Sequence, residues 1–306
     1  MNAGWHVTCE SSCVTPLIIV GCGYVGSRLA RAAVTAGRPV RALARSTGRL
    51  APLAELGVQI KYLDVQIPKQ IPVALSGLAG ATVVYSIPPV GALPPGLAIR
   101  AALQAAYGAG AACFIYFSSS GLYGANPDDD VWIDEDTPVV HDDPGMKNVI
   151  SDELELQNCS FADRMKLVTL RLAPVYGPGR GVRTRLEKGD YKILDDGQHA
   201  ISRIHVDDVV AIVTAAEARA ETKSCYLVAD DEPTTQGEYA RWLSERMKVP
   251  MPPSRSMFEP GARQVAHRNR RIRNAKLKRE LGIELRYPSF REGEAAIEAE
   301  VAGNRA

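Results

Sequence analysis

The chain has 306 residues, enough to bury a large core as one doubly wound domain with a smaller lobe or as two domains. Lys and Arg number 36 against 35 Asp and Glu, a net charge of +1 that offers no global field to nucleic acid or an acidic membrane. No apolar run approaches the roughly 18 residues that span a bilayer, and six cysteines, with Cys22 and Cys113 at expected core positions, fit a reducing cytoplasm better than a disulfide framework.

Residues 1–15 have neither the basic start nor the long apolar middle of a signal peptide and are expected to be a flexible leader. Within them Cys9-x-x-x-Cys13 lacks a second pair to complete a four-ligand site, so no metal is expected. Pro16-Leu17-Ile18-Ile19-Val20 then reads as a buried strand running into Gly21-Cys22-Gly23-Tyr24-Val25-Gly26, and an alanine-rich helical pattern follows over 27–36. Strand, G-x-G-x-x-G and helix in that order are the context in which this motif cradles a dinucleotide pyrophosphate. Gly21 is expected to make the tight turn and Gly23 to let the backbone approach the diphosphate. Gly26 would let the helix lie close against the strand. The helix start at Tyr24 and Val25 would offer N–H groups and the positive end of the dipole to the anion.

The second strand, 40–45, ends at Arg45 and Ser46 with Arg49 close behind. A carboxylate there would hold an adenosine ribose diol, whereas guanidinium takes a 2′-phosphate bidentately. NADP is therefore expected in preference to NAD. A third strand over 58–64 would bring Asp64 near the adenine. A fourth, 82–87, opens into Pro88-Pro89-Val90-Gly91, a stiff loop past which the rest of the cofactor should run. After a helix over 97–107 comes a fifth strand, 113–117, that ends in Ser118-Ser119-Ser120-Gly121-Leu122-Tyr123-Gly124. Hydroxyls clustered at a carboxyl strand end face the crevice where open α/β sheets bind ligands.

The stretch 126–143 is acidic, with Asp128-Asp129-Asp130 and Asp134-Glu135-Asp136, and reads as a solvated face. A helix over 147–165 and a sixth strand over 166–172 lead to Ala173-Pro174-Val175-Tyr176-Gly177. Asp207 is the expected N-cap of a helix over 208–218, with His205 orienting it. A last strand follows at 225–229, then an amphipathic helix over 235–247, a proline-rich stretch, the basic run 263–279 and a short helix over 274–281. Alternating strands and helices give an α/β fold, a Rossmann-type doubly wound and mostly parallel sheet with a small C-terminal α/β lobe. Residues 16–177, completed by 204–230, form the expected cofactor domain; 178–203 and 231–306 form the smaller lobe.

Taken together, Ser-Ser-Ser-Gly-Leu-Tyr-Gly at 118–124, Asp134-Glu135-Asp136-Thr137-Pro138, Arg171 to Arg180, Ile204-His205-Val206-Asp207-Asp208-Val209 and the closing 274–293 resemble the extended short-chain dehydrogenase/reductases, the NAD-dependent epimerase/dehydratase proteins. The resemblance covers nearly the whole chain from Pro16 to about Ile297. It implies a Rossmann domain, a nicotinamide cofactor contacted also by Ser118 and Pro174, and a lobe enclosing a substrate that is mostly a nucleotide sugar. Two departures stand out. The glycines follow G-x-G-x-x-G, where the family usually has G-x-x-G-x-x-G. The family's Y-x-x-x-K pair, a tyrosine acid/base and its lysine, falls on Gly145 and Val149 when aligned on Glu153, or on Lys147 and Ser151 when aligned on Glu155. Neither register supplies a tyrosine.

Hydride transfer still needs a group to protonate or polarise the substrate oxygen. The candidates are Ser119, at the position of the family's catalytic hydroxyl, with Ser120, Tyr123 and Lys147. Two functions fit. One is an NAD(P)-dependent oxidoreductase or epimerase/dehydratase-like enzyme with an altered acid/base set, acting on a small polar, nucleotide-linked or carbonyl substrate. The other is a non-catalytic NADP-binding sensor that reports to a partner through its C-terminal lobe. Arg263, Arg268 and Arg271 would clamp a substrate diphosphate in the first and face an acidic partner in the second. An oligomer is compatible with either.

Overall fold

The computed structural model describes residues 15–303 except 78, 90, 125–130, 257, 258 and 260–268. Most of the leader, the Cys9 and Cys13 pair, Asp128-Asp129-Asp130, Arg263 and Arg268 lie outside the described residues. Seven strands form one sheet: β1 (Leu17–Val20), β2 (Val40–Ala44), β3 (Gln59–Tyr62), β4 (Thr82–Tyr85), β5 (Cys113–Ser119), β6 (Lys166–Leu172) and β7 (Ser224–Val228). Their order is β7-β6-β5-β4-β1-β2-β3, and every pairing is parallel.

Both faces of a parallel sheet are covered, so its central strands read as continuous apolar runs. β1 shows how the alternation works. Leu17 and Ile19 pack on one face with Leu29 and Ala33 of α1 (Tyr24–Thr35). Ile18 and Val20 pack on the other with Ile99 and Leu103 of α2 (Leu97–Gly108) and Leu156 of α3 (Lys147–Gln157). From β1 the strand order runs outward both ways, through β4 on one side and β2 on the other. That reversal opens a crevice at the carboxyl ends of β1 and β4, the place where doubly wound sheets take ligands.

Four further helices follow α4 (Val182–Glu187): α5 (Val206–Arg219), α6 (Gln236–Met247), α7 (Ala275–Leu281) and α8 (Phe290–Gly303). Helix α5 packs on the sheet, while Tyr239 and Leu243 of α6 and Phe290 and Ile297 of α8 gather around Tyr176 in a separate small core. No helix among the described residues is long and apolar enough to cross a membrane.

Three local expectations change. Helix α1 begins at Tyr24, directly on the glycine turn, rather than at Ser27. The helix expected over 147–165 stops at Gln157, and a single 3-10 turn, Ser160–Asp163, carries the chain to β6. Helix α5 starts at Val206, capped by His205 instead of Asp207: the imidazole Nδ1 accepts the Asp207 N–H at 3.2 Å. Burial lowers the His205 pKa to about 4, so the ring is neutral and free to accept that bond.

Candidate active site

The turn after β1 is built by hydrogen bonds to its neighbour strand. Gly21 N and Cys22 N both donate to Leu43 O, at 2.9 and 3.0 Å, and Gly23 N donates to Gly21 O at 2.7 Å. Gly21 has φ +93°, and a methyl there would fall 2.5 Å from Ile87 Cγ1. Ser86 Oγ donates to Gly21 O at 2.6 Å, so the end of β4 closes behind the turn. A Cβ on Gly26 would lie 2.9 Å from Ile19 Cγ2, which measures how closely α1 lies on β1. A Cβ on Gly23 would meet nothing nearer than Gly21 O at 4.0 Å. The cradle is open where an anion would approach, and α1 has no side-chain cap over its first turn. Exposed backbone and a free helix N-terminus fit a diphosphate.

Val25 packs on the core, and the Tyr24 phenol turns away from the cradle to donate to Pro178 O at 3.1 Å, with Arg180 over its ring. Both have only main-chain groups to offer an anion there. Arg45 and Ser46 are exposed at the end of β2. Asp64 is half-buried and already accepts the Gln66 N–H at 3.0 Å. Pro88 is exposed just past Ser86.

At the end of β5 the three serines point to different fates. Ser118 is buried, and its hydroxyl donates to Glu153 Oε1 at 2.5 Å. Glu153 in turn takes two bonds from Arg171, at 3.0 and 2.7 Å, and Arg171 Nη1 donates to the Tyr123 phenol at 2.6 Å. Burial works against the Arg171 charge, but Glu153 more than offsets it and holds the guanidinium protonated. Burial also pushes the Tyr123 phenol up to about 12. Tyr123 is a core residue accepting a charged hydrogen bond, so it is removed from the acid/base candidates, and Ser118 keeps only its backbone for a cofactor. Sequence alone missed Glu153 and Arg171 as a buried pair, although Arg171 stands in the motif that closes β6.

Ser119 is half-buried, and its Oγ accepts the Gly121 N–H at 3.0 Å. Accepting that bond leaves the hydroxyl proton for an outside oxygen. Ser120 is buried and lines the large cavity described below. Lys147 is exposed at the start of α3. Of the two glutamates used to align the Y-x-x-x-K pair, Glu153 faces the core and Glu155 turns outward to Arg100. Gly145 is exposed, Val149 is buried, and Met146 instead lies over the serine turn: a methyl on Gly121 would sit 2.7 Å from its Sδ.

A cavity of about 770 Å³ opens beside Ser120, between the carboxyl edge of the sheet and the small core around Tyr176. Pro174, Tyr176, Tyr191, Tyr239 and Ile201 supply apolar walls, and Arg185, Lys192, Arg203, Arg255 and Arg270 the polar ones, against a single acid, Asp190. Arg270 is held to Ser120 O at 2.9 Å and Gly124 O at 3.1 Å. Of the basic run expected to clamp a diphosphate, Arg270 therefore lines the cavity and Arg271 does not. Arg203 and the three tyrosines were not singled out in sequence; they meet only through the fold.

The sequence model of the NAD dependent epimerase/dehydratase family matches residues 17–229. A 3-diazoavenalumate denitrifying reductase from a Streptomyces species is 27% identical over 257 residues, covering 77% of this chain and 82% of the relative. A conserved protein of unknown function from Silicibacter pomeroyi superposes with a TM-score of 0.79 at 28% identity, over 94% of this chain and 99% of that one. The dTDP-glucose 4,6-dehydratase DesIV from Streptomyces venezuelae, solved with NAD and TYD bound, has a TM-score of 0.80 at 19% identity, over 95% of this chain and 98% of that one. At that identity the likeness shows the shared fold.

Proposed function

Because this chain belongs to the NAD dependent epimerase/dehydratase family, we propose that it is an NAD(P)-dependent oxidoreductase whose substrate occupies the cavity beside Ser120. The observation that carries this reading is the adjacency of two hydroxyls: Ser119 ends β5 at the crevice of the sheet, and Ser120 is already part of the cavity wall. One strand end thus serves both chambers. A purely sensing protein would not need the second.

Gly21, Gly23 and Gly26, with the first N–H groups of α1, would hold the cofactor diphosphate, and Arg45 and Ser46 would favour a 2′-phosphate, hence NADP over NAD. The cofactor supplies a hydride at its nicotinamide carbon. Ser119 donates its hydroxyl proton in a hydrogen bond to the substrate oxygen, steadied by the Gly121 N–H behind it. Unassisted serine is too weak an acid to deliver that proton outright, so it polarises the bond while solvent closes the proton balance. The substrates this suits are polar carbonyl or nucleotide-linked compounds. Support comes from DesIV, solved with NAD and TYD, and from the similarity to a named reductase. In this reading residues 16–177 and 204–230 carry the cofactor, and 178–203 with 231–306 the substrate.

A screen of nucleotide sugars, carbonyl compounds and azo or diazo compounds for NADPH oxidation tests it. Turnover of one class, reduced by Ser119→Ala, is the expected result. Tight NADPH binding with no turnover of any class would return the protein to the sensor reading.

A further inference from the structure

Arg203 lies deep in the cavity and is only 3% exposed. Its guanidinium stacks 4.2 Å above the Tyr239 ring, and Nη2 makes one long bond, 3.5 Å, to Thr234 O. Nη1 has no hydrogen-bond partner among the described residues, and no carboxylate there comes within 4.0 Å of the group. Asp230, fully buried, interacts with it through space; its two carboxyl oxygens also lack hydrogen bonds, and burial raises that carboxyl well above the ordinary carboxylate range. A buried cation without a contacting counter-ion is costly unless something completes it. The cavity walls add four more basic side chains against the one acid among the lining residues, Asp190.

We propose that Arg203 is the receiving group for an oxyanion, a carboxylate or a phosphate, carried by the substrate, and that Tyr176, Tyr191 and Ile201 clasp the flat or apolar body attached to it. This rests on the reading of the cavity as the substrate site and narrows it to acids. It also moves anion recognition from the basic run at 263–279 to a residue just before the short strand Ile204–His205 that leads into α5. Planar guanidinium suits a bidentate oxyanion, and stacking on Tyr239 fixes its plane in advance.

Two probes separate the sources: 4-bromobenzoate for a carboxylate and inorganic phosphate for a phosphate, each titrated by thermal shift against chloride at matched ionic strength. A saturable rise in Tm with either probe, weakened roughly ten- to hundredfold in Arg203→Met and less in Arg203→Lys, is expected. The probe that gives the rise identifies the group. No rise with either probe, or a rise that Arg203→Met leaves intact, overturns the proposal. Should Arg203→Met fail to fold, the bromine of 4-bromobenzoate soaked into wild-type crystals locates the probe by anomalous scattering. Bromine in the cavity with the carboxylate on Arg203 supports the site. Its absence there overturns the proposal. NADPH binding, measured on the same samples, keeps the two claims apart: intact binding without an anion response sinks this inference alone, and the converse sinks the oxidoreductase reading.

Discussion

Arg171 and Arg203 are both arginines, both buried, and the molecule treats them in opposite ways. Arg171 is 7% exposed and fully committed: two bonds to Glu153, one to Tyr123, with Ser118 completing the carboxylate's set. Arg203 is buried more deeply, lines the cavity, and has the rings of Tyr239 and Phe290 beside it, one long carbonyl contact and a buried, unmatched nitrogen. A cation satisfied by its own chain fixes structure; one left unmatched beside a chamber is available to a ligand. The comparison also explains the loss of Tyr123 as an acid. Its phenol belongs to the committed arginine, while the Ser119 hydroxyl accepts the Gly121 N–H and Ser120 lines the cavity.

Removing one partner from the committed pair should produce the largest effect. Arg171→Met leaves Glu153 charged in the core and should cost about 3–5 kcal/mol in urea unfolding, most of it recovered when Glu153→Gln is added. Arg203→Met should cost only about 1 kcal/mol, the scale of its stacking on Tyr239. Equal losses from the two arginines would erase the distinction. Next in size, Ser119→Ala should lower turnover by roughly ten- to a thousandfold with NADPH binding unchanged, as loss of one donor at developing charge does. An unaltered rate would take Ser119 out of the chemistry.

The glycines offer a contrast of the same kind. Gly26→Ala drives a methyl to 2.9 Å from Ile19 Cγ2 and 3.2 Å from Gly21 O, so unfolding should come about 1–3 kcal/mol more easily. The same change at Gly23 meets open space and should leave stability within about 0.5 kcal/mol. A smaller effect is expected from Asp152 on α3, which accepts from the Tyr116 phenol at 3.2 Å and whose carboxyl burial raises to about 6. The folded protein then holds that proton more tightly than the unfolded chain, so ionisation of Asp152 destabilises as pH rises through the acid range to about 6. His205, depressed to about 4, works the other way: its contribution is complete above its ordinary pKa and is lost as pH falls toward 4. The two slopes oppose each other. Asp152→Asn should therefore stabilise the protein near neutrality by about 1–2 kcal/mol and steepen its loss of stability on acidification between about pH 6 and 4. A variant with the wild-type pH profile would contradict this.

The strand-turn-helix unit was legible because every cue to it is local: five apolar residues, three glycines at fixed spacing and the helix within about twenty positions. The parallel sheet followed from repeating that unit; its strand order did not. Arg45 and Ser46 could be placed at a strand end for the same reason. What sequence could not show depends on long-range meetings. Glu153 and Arg171 are 18 residues apart on different elements, and nothing in their spacing says that one neutralises the other. Arg203, Thr234 and Tyr239 come together only after the chain has wound through β7. The basic run drew attention by its density, yet density says nothing about direction, and Arg270 rather than Arg271 reaches the cavity. His205 replaced Asp207 as the cap because its buried imidazole is neutral, a state set by surroundings that the sequence does not reveal.

The central claim is that main-chain amides at the first β-α turn hold a nicotinamide cofactor. NADPH fluorescence titrated with wild-type protein and with Gly23→Val tests it most directly. The account predicts a saturable change for the wild type that disappears in the variant, with the folded state of both checked by circular dichroism. Undiminished binding by Gly23→Val would contradict it.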